Sequence, residues 1–288
     1  MRVAVIGHIE WITFLRVDRV PAPGEIVHAQ AGLEMPAGGG GATAVQLAKL
    51  ADEVHLFTAL GDDDLGKRSI DALGELGLQV HAVFRPEPTR RAVVHIDSDG
   101  ERTITVVGNR MGVHHGDPVP WDELKHMDAA YFCAGDEAAL RAGREARVLV
   151  STARVLPTVI SSGVQLDVVV GSDADPGERM NKSDFPLVPD LLVWTRGAQG
   201  GRWSTGKGDT GRFDAPPLSG EVRDRYGAGD GFVGGLTYAM TTGAKLKAAL
   251  GFAAACGAAA LGGNGPYETQ LTRLDPAFQA LQDRLSSN

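Results

Sequence analysis

Short apolar runs separated by helix-length segments constrain the fold of this chain more than any other feature of its sequence. Residues 3–6, 54–58, 166–170 and Leu191–Thr195 are each short and mainly apolar. Runs of this kind are typical of parallel strands, because helices cover both faces of a parallel sheet. The pattern therefore predicts an α/β fold with a mostly parallel central sheet between two helical layers.

Local patterns predict two helices and one hairpin within this frame. Residues 44–51 and 65–76 carry apolar side chains at helical spacing, and Gly77 follows the second segment as a stop signal. Ser98-Asp99-Gly100 stands between two runs rich in β-branched residues, 91–96 and 102–107. An Asp-Gly pair in that position predicts a β-hairpin.

Composition excludes several classes of protein. A net charge of -8 over 288 residues argues against nucleic acid as a partner, because duplex binding needs a basic surface. The longest stretch of small apolar residues, 248–261, is too short to cross a membrane, and residues 1–7 are typical of a first strand rather than a signal peptide. We expect a cytoplasmic protein with no membrane partner. Cys133 and Cys256 lack metal-ligand spacing and are predicted core residues.

A turn of small residues, Gly227-Ala228-Gly229, precedes Asp230 and an apolar helix-like segment. Three amides without bulky side chains can close on an anion, and the positive end of a helix favours negative charge. Asp230 stands where a nucleophilic hydroxyl would lose its proton. An ordinary acidic residue at a helix start would explain Asp230 but not the small residues before it. The segment predicts a phosphoryl-transfer site with Asp230 as general base and three amides as the anion hole.

Four motifs in order along the chain resemble those of the ribokinase-like sugar kinases, the phosphofructokinase B family. The motifs are D-x-x-G-A-G-D at 224–230, V-P-A-P-G-E at 20–25 with the glycine run that starts at 38, T-x-G-x-x-G at 195–200, and G-N-G-P at 263–266. The resemblance implies one ribokinase-like domain over residues 1–288, with three layers, α/β/α. It also implies a discontinuous β lid formed by about residues 10–35 and 88–109, in which the hairpin joins strands near 13–17 and 25–30. Such lids pair two subunits, so a homodimer is implied.

The resemblance also implies the reaction, which is ATP- and Mg²⁺-dependent phosphorylation of a hydroxymethyl group on a sugar or sugar-like small molecule. Ser172 and Asp175 occupy the places of the family's N-x-x-E, so Asp175 is implied to contact Mg²⁺, through water. Asp224 is either a turn-capping residue or a ligand of an activating monovalent cation such as K⁺, together with the Tyr226 carbonyl. The residues implied to lie along the nucleotide are Ser172, Thr195, Gly197, Gly200 and Cys256.

The chain departs from the family where the acceptor should bind. The family reads G-S-x-N-x-D after its first strand, whereas this chain reads G-H-I-E-W-I at 7–12. Ile12 therefore replaces the Asp that clamps sugar hydroxyls, and Thr43 replaces an Asn of the glycine motif. Either Glu10 supplies the clamp instead, or the acceptor is not a simple pentose or hexose. The implied acceptor-binding positions are Glu10, Ile12, Gly38, Gly39, Thr43 and Arg90.

Arginines are frequent in the predicted lid, at positions 90, 91, 102 and 110. They form either a solvated or subunit-pairing face, or a site in which one or two of them, such as Arg90 and Arg102, bind an anionic acceptor such as a sugar phosphate.

Two alternatives to a sugar kinase stay open at this stage. One is a nucleoside kinase of the same fold, because Trp11 and Ile12 could suit a base better than a polyol. The other is a non-catalytic nucleotide or sugar sensor, which the missing Asp at position 12 favours and the intact Asp230 opposes.

Overall fold

The central sheet of this computed structural model, which describes residues 1–218 and 220–286, has nine strands. In chain order the strands of the molecule are β1 Arg2–Ile6, β2 Glu10–Arg16, β3 Ala31–Ala37, β4 Glu53–Gly61, β5 Gln79–Arg85, β6 Arg91–Ile96, β7 Arg102–Val107, β8 Ala129–Phe132, β9 Val148–Thr152, β10 Val168–Ser172, β11 Leu191–Thr195, β12 Gly201–Thr205 and β13 Thr210–Phe213. The central sheet has the order β13-β12-β11-β10-β9-β8-β1-β4-β5. All its pairings from β11 to β5 are parallel. Strand β12 pairs antiparallel with both β11 and β13.

Helices pack on both faces of this sheet, as the apolar runs predict. The helices are α1 Gly38–Ala48, α2 Asp64–Glu75, α3 Glu137–Gly143, α4 Leu156–Ser162, α5 Ala228–Thr241, α6 Leu246–Ala259 and α7 Pro276–Ser286. Alternate residues of β1 belong to different cores: Val3 and Val5 pack with α1, α5 and α6, whereas Ala4 and Ile6 pack with α3 and α4. The predicted three-layer α/β/α architecture is confirmed. Within the described residues no helix is both long and apolar enough to cross a membrane.

The second sheet is the lid, with the strand order β3-β2-β6-β7. The hairpin β6–β7 has the predicted bounds, and its turn closes through a hydrogen bond from the Gly100 amide to the Asp97 carbonyl (3.0 Å), with Gly100 at φ 72°. The strand predicted near 25–30 is wrong, because β3 starts at Ala31. Residues 22–25 form a turn instead, in which the Glu25 carboxylate accepts the Ala22 amide (3.0 Å) and pairs with Arg19.

Helix α1 starts six residues before the predicted position. Glycine disfavours helices, so the run at 38–41 gave no helical signal. Close packing explains its composition: a Cβ on Gly40 would lie 2.6 Å from the His8 carbonyl oxygen and 2.9 Å from the Gly7 carbonyl carbon. Gly38, at φ 84°, makes the turn from β3 directly into α1. The glycine motif therefore lets α1 approach the chain that leaves β1.

Candidate active site

Asp230 lies in the first turn of α5, the third residue of a helix that starts at Ala228. Gly227 precedes the helix at φ 83°, and a Cβ there would lie 2.8 Å from Cβ of Pro266. Both the backbone conformation and the close approach of Pro266 therefore require glycine. A Cβ on Gly229, in contrast, would meet no atom within 4 Å. The turn is tight on one side and open on the other, where an anion would lie.

The first three amides of α5 point into this open space without a partner in the helix. An α-helix leaves its first N–H groups unsatisfied, and the earliest amide here that closes onto the turn is that of Gly231, which donates to the Gly227 carbonyl (2.8 Å). The amides of Ala228, Gly229 and Asp230 donate to no residue in the described part of the chain. The partial positive charge of α5 adds to them, so this end of the helix suits a phosphate.

The Asp230 carboxyl has an unusual protonation equilibrium. Its pKa is raised to about 7, first because burial penalises the charged form and second because Glu178 carries the same charge. Arg102 and Arg154 oppose the shift. Part of the residue still reaches solvent. A carboxyl with a pKa near neutrality can accept a proton from a substrate hydroxyl and release it again.

The glycine motif of α1 lies beside Asp230. A methyl group on Gly39 would lie 3.4 Å from both Oδ1 of Asp230 and Cε1 of His8, so these three residues border one space. The Gly38 amide donates to the hydroxyl of Tyr226 (3.2 Å), just before the turn at Gly227. The Thr43 side chain is fully buried and donates to the Asp230 carbonyl (3.4 Å). Thr43, predicted to contact the acceptor, holds the two helices together instead.

Two other predicted acceptor residues pair with each other. Nε of Arg90 donates to the Glu10 carboxylate at 2.7 Å, and the two side chains are only 15% and 9% exposed. Ile12 lies in the core with no exposed surface, so the prediction that its side chain contacts the acceptor is wrong. The alternation of β2 points Ile12 into the core beneath the lid.

His8 belongs to this site, although the sequence reasoning did not select it. Its ring is buried, with 6% exposed, and Nδ1 has no hydrogen-bond partner among the described residues. Burial, together with the charges of Arg110, Arg90 and Arg154, lowers the pKa of His8 to about 3. The ring is therefore neutral at physiological pH. The sequence signal for His8 was its place in G-H-I-E-W-I at 7–12, where the family carries Ser.

Two carboxylates converge on Arg154 at the carboxyl ends of β9 and β10. Arg154 pairs with Asp175 and, at 3.0 Å, with Glu178. Asp175 also accepts the Gly177 amide (2.8 Å), and Ser172 Oγ accepts the Asp175 amide (3.3 Å). Burial raises the pKa of Glu178. Glu178 and Arg154 were not predicted, because only the N-x-x-E spacing was considered. No cluster of three or more acidic, His or Cys groups suited to a metal ion occurs within residues 1–218 and 220–286.

Asp224 has the geometry of the turn-capping alternative. It is fully buried; Oδ1 accepts the Tyr226 amide (2.7 Å) and Oδ2 accepts the Gly265 amide (3.0 Å). Desolvation raises the pKa of Asp224, whereas these two hydrogen bonds oppose that shift. The carboxylate thereby ties the turn before α5 to the G-N-G-P loop.

The predicted nucleotide residues lie at one end of the central sheet, with one exception. Ser172 and Thr195 face each other in register at the carboxyl ends of β10 and β11. Gly197, at φ 56°, starts the short helix that follows Thr195, and a Cβ on Gly200 would lie 2.1 Å from the Phe213 carbonyl oxygen. The exception is Cys256, which is fully buried against Gly235 of α5, as expected for a core residue, and does not present its thiol to this end of the sheet.

The sequence model of the pfkB family carbohydrate kinases matches residues 1–159 and 170–273. This chain belongs to that family. The predicted family, the ribokinase-like fold and the activity of an ATP-dependent carbohydrate kinase, a phosphotransferase with an alcohol acceptor, are thereby confirmed.

Individual members of the pfkB family match over nearly the whole chain. An enzyme named ATP-dependent ribose-1-phosphate kinase, from Halopiger xanaduensis, is 29% identical over 92% of this chain and 93% of its own length. The aminoimidazole riboside kinase of Salmonella typhimurium is 25% identical over 83% of this chain and 87% of its own. The Arabidopsis thaliana ribokinase, solved with ribose and ATP, superposes with a TM-score of 0.73 at 20% identity and covers 98% of both chains. That structural likeness concerns the fold.

Proposed function

We propose that this kinase transfers the γ-phosphoryl group of ATP to a hydroxymethyl group of a sugar derivative, with Asp230 as the general base. The observation that supports this assignment most directly is the Asp230 carboxyl, with its pKa of about 7, beside three free amides at the start of α5. The acceptor oxygen forms a bond to the γ-phosphorus, the bond between that phosphorus and the β,γ-bridging oxygen breaks, and the hydroxyl proton passes to Asp230. The amides of Gly227, Ala228 and Gly229, the predicted anion hole, stabilise the charge on the transferred group, with the Asp230 amide beside them.

We propose that the two carboxylates that pair with Arg154 hold the metal. Asp175 and Glu178 supply the oxygen donors that Mg²⁺ prefers, and Ser172 orients Asp175 through the Asp175 amide. Bound Mg²⁺ would neutralise charge on the ATP phosphates. For the monovalent cation, each oxygen of Asp224 accepts one amide and keeps a second lone pair, and a dependence of the rate on K⁺ is the test of that role.

The acceptor is proposed to bind between Gly39, His8 and the Glu10–Arg90 pair. The neutral His8 ring, whose Nε2 would lie 3.3 Å from a Cβ on Gly38, contacts an acceptor hydroxyl and replaces the contact that Ile12 cannot make. A nucleoside acceptor is less well supported, because Trp11 is 6% exposed and Arg68 stacks 4.3 Å above its ring, so this ring is not free to stack on a base. The relative named ribose-1-phosphate kinase acts on a pentose derivative, which agrees with a small polyhydroxyl acceptor.

The catalytic assignment is tested by ADP release with MgATP over a panel of sugars, sugar phosphates and nucleosides. We expect Asp230→Asn to lower kcat about 10²- to 10⁴-fold, because the amide cannot accept the proton. Asp64→Asn, which changes an exposed acidic residue in the first turn of α2, is the matched control and should keep the wild-type rate. An Asp230→Asn enzyme with wild-type kcat would refute the base, and ATP binding without turnover of any acceptor would favour a sensor.

The pH dependence gives a second measurement of the same carboxyl. The base acts only when ionised, so kcat/KM should fall as the pH drops below about 7, the pKa of Asp230. Stability should change in the opposite direction. The folded pKa lies above the unfolded value of 3.8, so the contribution of this group to stability is present below that value and is lost as the pH rises through 7. Asp230→Asn should therefore unfold at a higher temperature than the wild type at pH 8.

We propose a homodimer that forms through the lid, because the edge strand β7 is exposed. Ile104, Val106 and Val107 are 40%, 42% and 46% exposed on this edge strand, which leaves a row of unpaired backbone groups. Light scattering of Ile104→Lys, which places a charge on that edge, should report monomers if β7 pairs with a second copy. A wild type that is monomeric at micromolar concentration would remove the proposal. A cytoplasmic location stays a prediction from the sequence.

A further inference from the structure

Three arginines surround the space next to His8. The charges of Arg110, Arg90 and Arg154 all act on the His8 ring, and Arg90 and Arg154 also lower the pKa of Arg110, after desolvation. Positive charges repel one another when they share a poorly solvated space. The arrangement is therefore unfavourable unless negative charge compensates it.

Acidic side chains pair with only two of these three arginines. Arg90 is paired with Glu10, and Arg154 is paired with Asp175 and Glu178. Among the residues that the structure describes, Arg110 has no ion pair and donates no hydrogen bond. Arg102, the other lid arginine considered from the sequence, donates to the Arg225 carbonyl (2.9 Å). Arg110 is thus the one of these three arginines without a direct partner in the described part of the chain, although the charge of Glu10 also acts on it.

Arg110 and Arg154 line one cavity of about 350 Å³. Its lining also includes small residues that follow β8, Ala134 and Gly135, with Gly112 packed so closely on Gly135 that a Cβ would lie 2.6 Å from its nitrogen. The remaining lining residues are His114, Val155, Pro157 and Thr158. Small-molecule sites begin at about this volume.

The cavity lies near the space at Asp230, because the charges of Arg110 and Arg154, which line it, act on the His8 ring that borders that space. Cys133 directly precedes Ala134, and its Sγ would lie 4.0 Å from a methyl group on Gly39, which would itself lie 3.4 Å from the Asp230 carboxylate. The charge of Arg154 also acts on Asp230. A molecule with its reactive hydroxyl at Asp230 could therefore extend into the cavity.

We infer that the acceptor carries an anionic group, a phosphate monoester, which Arg110 and Arg154 bind in this cavity while its hydroxymethyl group faces Asp230. Guanidinium groups suit phosphate because their planar N–H donors bind two oxygens at once. The inference rests on the proposed function for the position of the reacting hydroxyl. It moves the anion contact from Arg90 and Arg102 to Arg110, which has no ion pair among the described residues, and to Arg154, which lines the same cavity while also pairing with Asp175 and Glu178.

The reaction limits which sugar phosphates qualify. The hydroxymethyl group must be free, so an aldose must carry its phosphate elsewhere, for example at the anomeric carbon, and a ketose must keep one hydroxymethyl group unphosphorylated, for example by carrying the phosphate at its other end. An aldose phosphorylated on its terminal hydroxymethyl would lack the reacting group. A sugar acid would present a carboxylate to the same arginines, and therefore forms a separate arm of the test.

Binding tests the inference independently of turnover. We would titrate aldose 1-phosphates, terminally phosphorylated ketoses, aldonic acids and the neutral parent sugars into the full-length Asp230→Asn protein by calorimetry. At least one phosphate should bind about 10-fold or more tightly than its neutral parent, and Arg110→Ala in the same background should remove that preference, a loss of about 10- to 100-fold for a charge-assisted contact. Arg110→Lys should retain part of it. Arg91→Ala, a lid arginine on β6 outside the cavity, should retain all of it, and thermal melts would verify that each variant is folded.

Each outcome separates the two proposals. A phosphate preference that survives Arg110→Ala, or no preference at all, overturns the inference. A preference for aldonic acids over phosphates overturns the claim that the anionic group is a phosphate, but it keeps the cavity as an anion site. If the phosphates bind through Arg110 and the wild-type enzyme still transfers no phosphoryl group to them, the inference stands and the proposed function fails. Arg110-dependent turnover in the wild type supports both.

Discussion

The two sides of the candidate active site are built differently. On the donor side, the turn at Gly227 and the start of α5 present backbone amides; Pro266 leaves no room for a side chain at Gly227, whereas Gly229 borders open space. On the acceptor side, Glu10, His8 and the arginines present charged or polar side chains, two of them paired with each other. Backbone geometry tolerates little change, whereas side chains can be exchanged one at a time. The family signature is therefore retained on the donor side and altered on the acceptor side.

The largest effect is expected from a methyl group in the donor turn. Gly227→Ala forces a residue with a Cβ to φ 83° and brings that Cβ to 2.8 Å from Pro266, so the amides at Ala228 and Gly229 must move. We expect kcat to fall about 10²-fold or more, since one anion-hole donor is worth that much. Stability should fall by about 1–3 kcal/mol.

Gly243→Ala is the matched control for this substitution. Gly243 follows the other end of α5 at φ 75°, and a Cβ there would meet nothing within 4 Å. The control should lose about 1 kcal/mol of stability and none of kcat. If both variants lost the same activity, global destabilisation rather than the anion turn would explain the first result.

A smaller effect is expected on the acceptor side. Glu10→Ala removes the partner of Arg90, which is only 15% exposed, so about 1–3 kcal/mol of stability should be lost. KM for the acceptor should rise about 10-fold, equivalent to 1.4 kcal/mol, while KM for MgATP stays constant. Glu34→Ala, an exposed acidic residue on β3 that accepts a bond from Thr13, should change neither. A change in KM for MgATP alone would contradict the division into two sides.

The smallest effect is expected at Cys256. Its thiol is buried against Gly235, so Cys256→Ala should leave KM for ATP within about twofold and cost about 1 kcal/mol of stability. Initial rates at varied ATP concentration decide the point. A fivefold or larger rise in KM would return Cys256 to the nucleotide site.

The sequence predicted the fold well where hydrophobic pattern and turn chemistry agree. The strand Leu191–Thr195 and the hairpin β6–β7 have their predicted bounds, because apolar runs and the Asp-Gly turn leave few alternatives. The lid strand β3 was missed, since its residues are largely exposed and give no alternation. The start of α1 was missed because its glycines are selected by contact with His8 and Gly7, and propensity does not record such contacts.

The candidate site was predictable only where one segment contains it. Residues 227–230 are contiguous, so their arrangement could be inferred directly from the sequence. Arg110, Arg154 and Glu178 come from three separate regions and meet only through the packing of lid and sheet. Ile12 was misjudged because the direction of its side chain depends on the pairing of β2 with β3, which the motif does not reveal.

The direct passage from β3 into α1 links the lid to the floor of the acceptor site. Ala37 ends β3 opposite Glu10, and Gly38 begins α1 with no residue between them. Gly39, beside Asp230, is thus two residues from a lid strand. Any displacement of the lid that moves the end of β3 must also shift Gly38 and Gly39. A movement of β3 would therefore change the surface beside Asp230 at the same time.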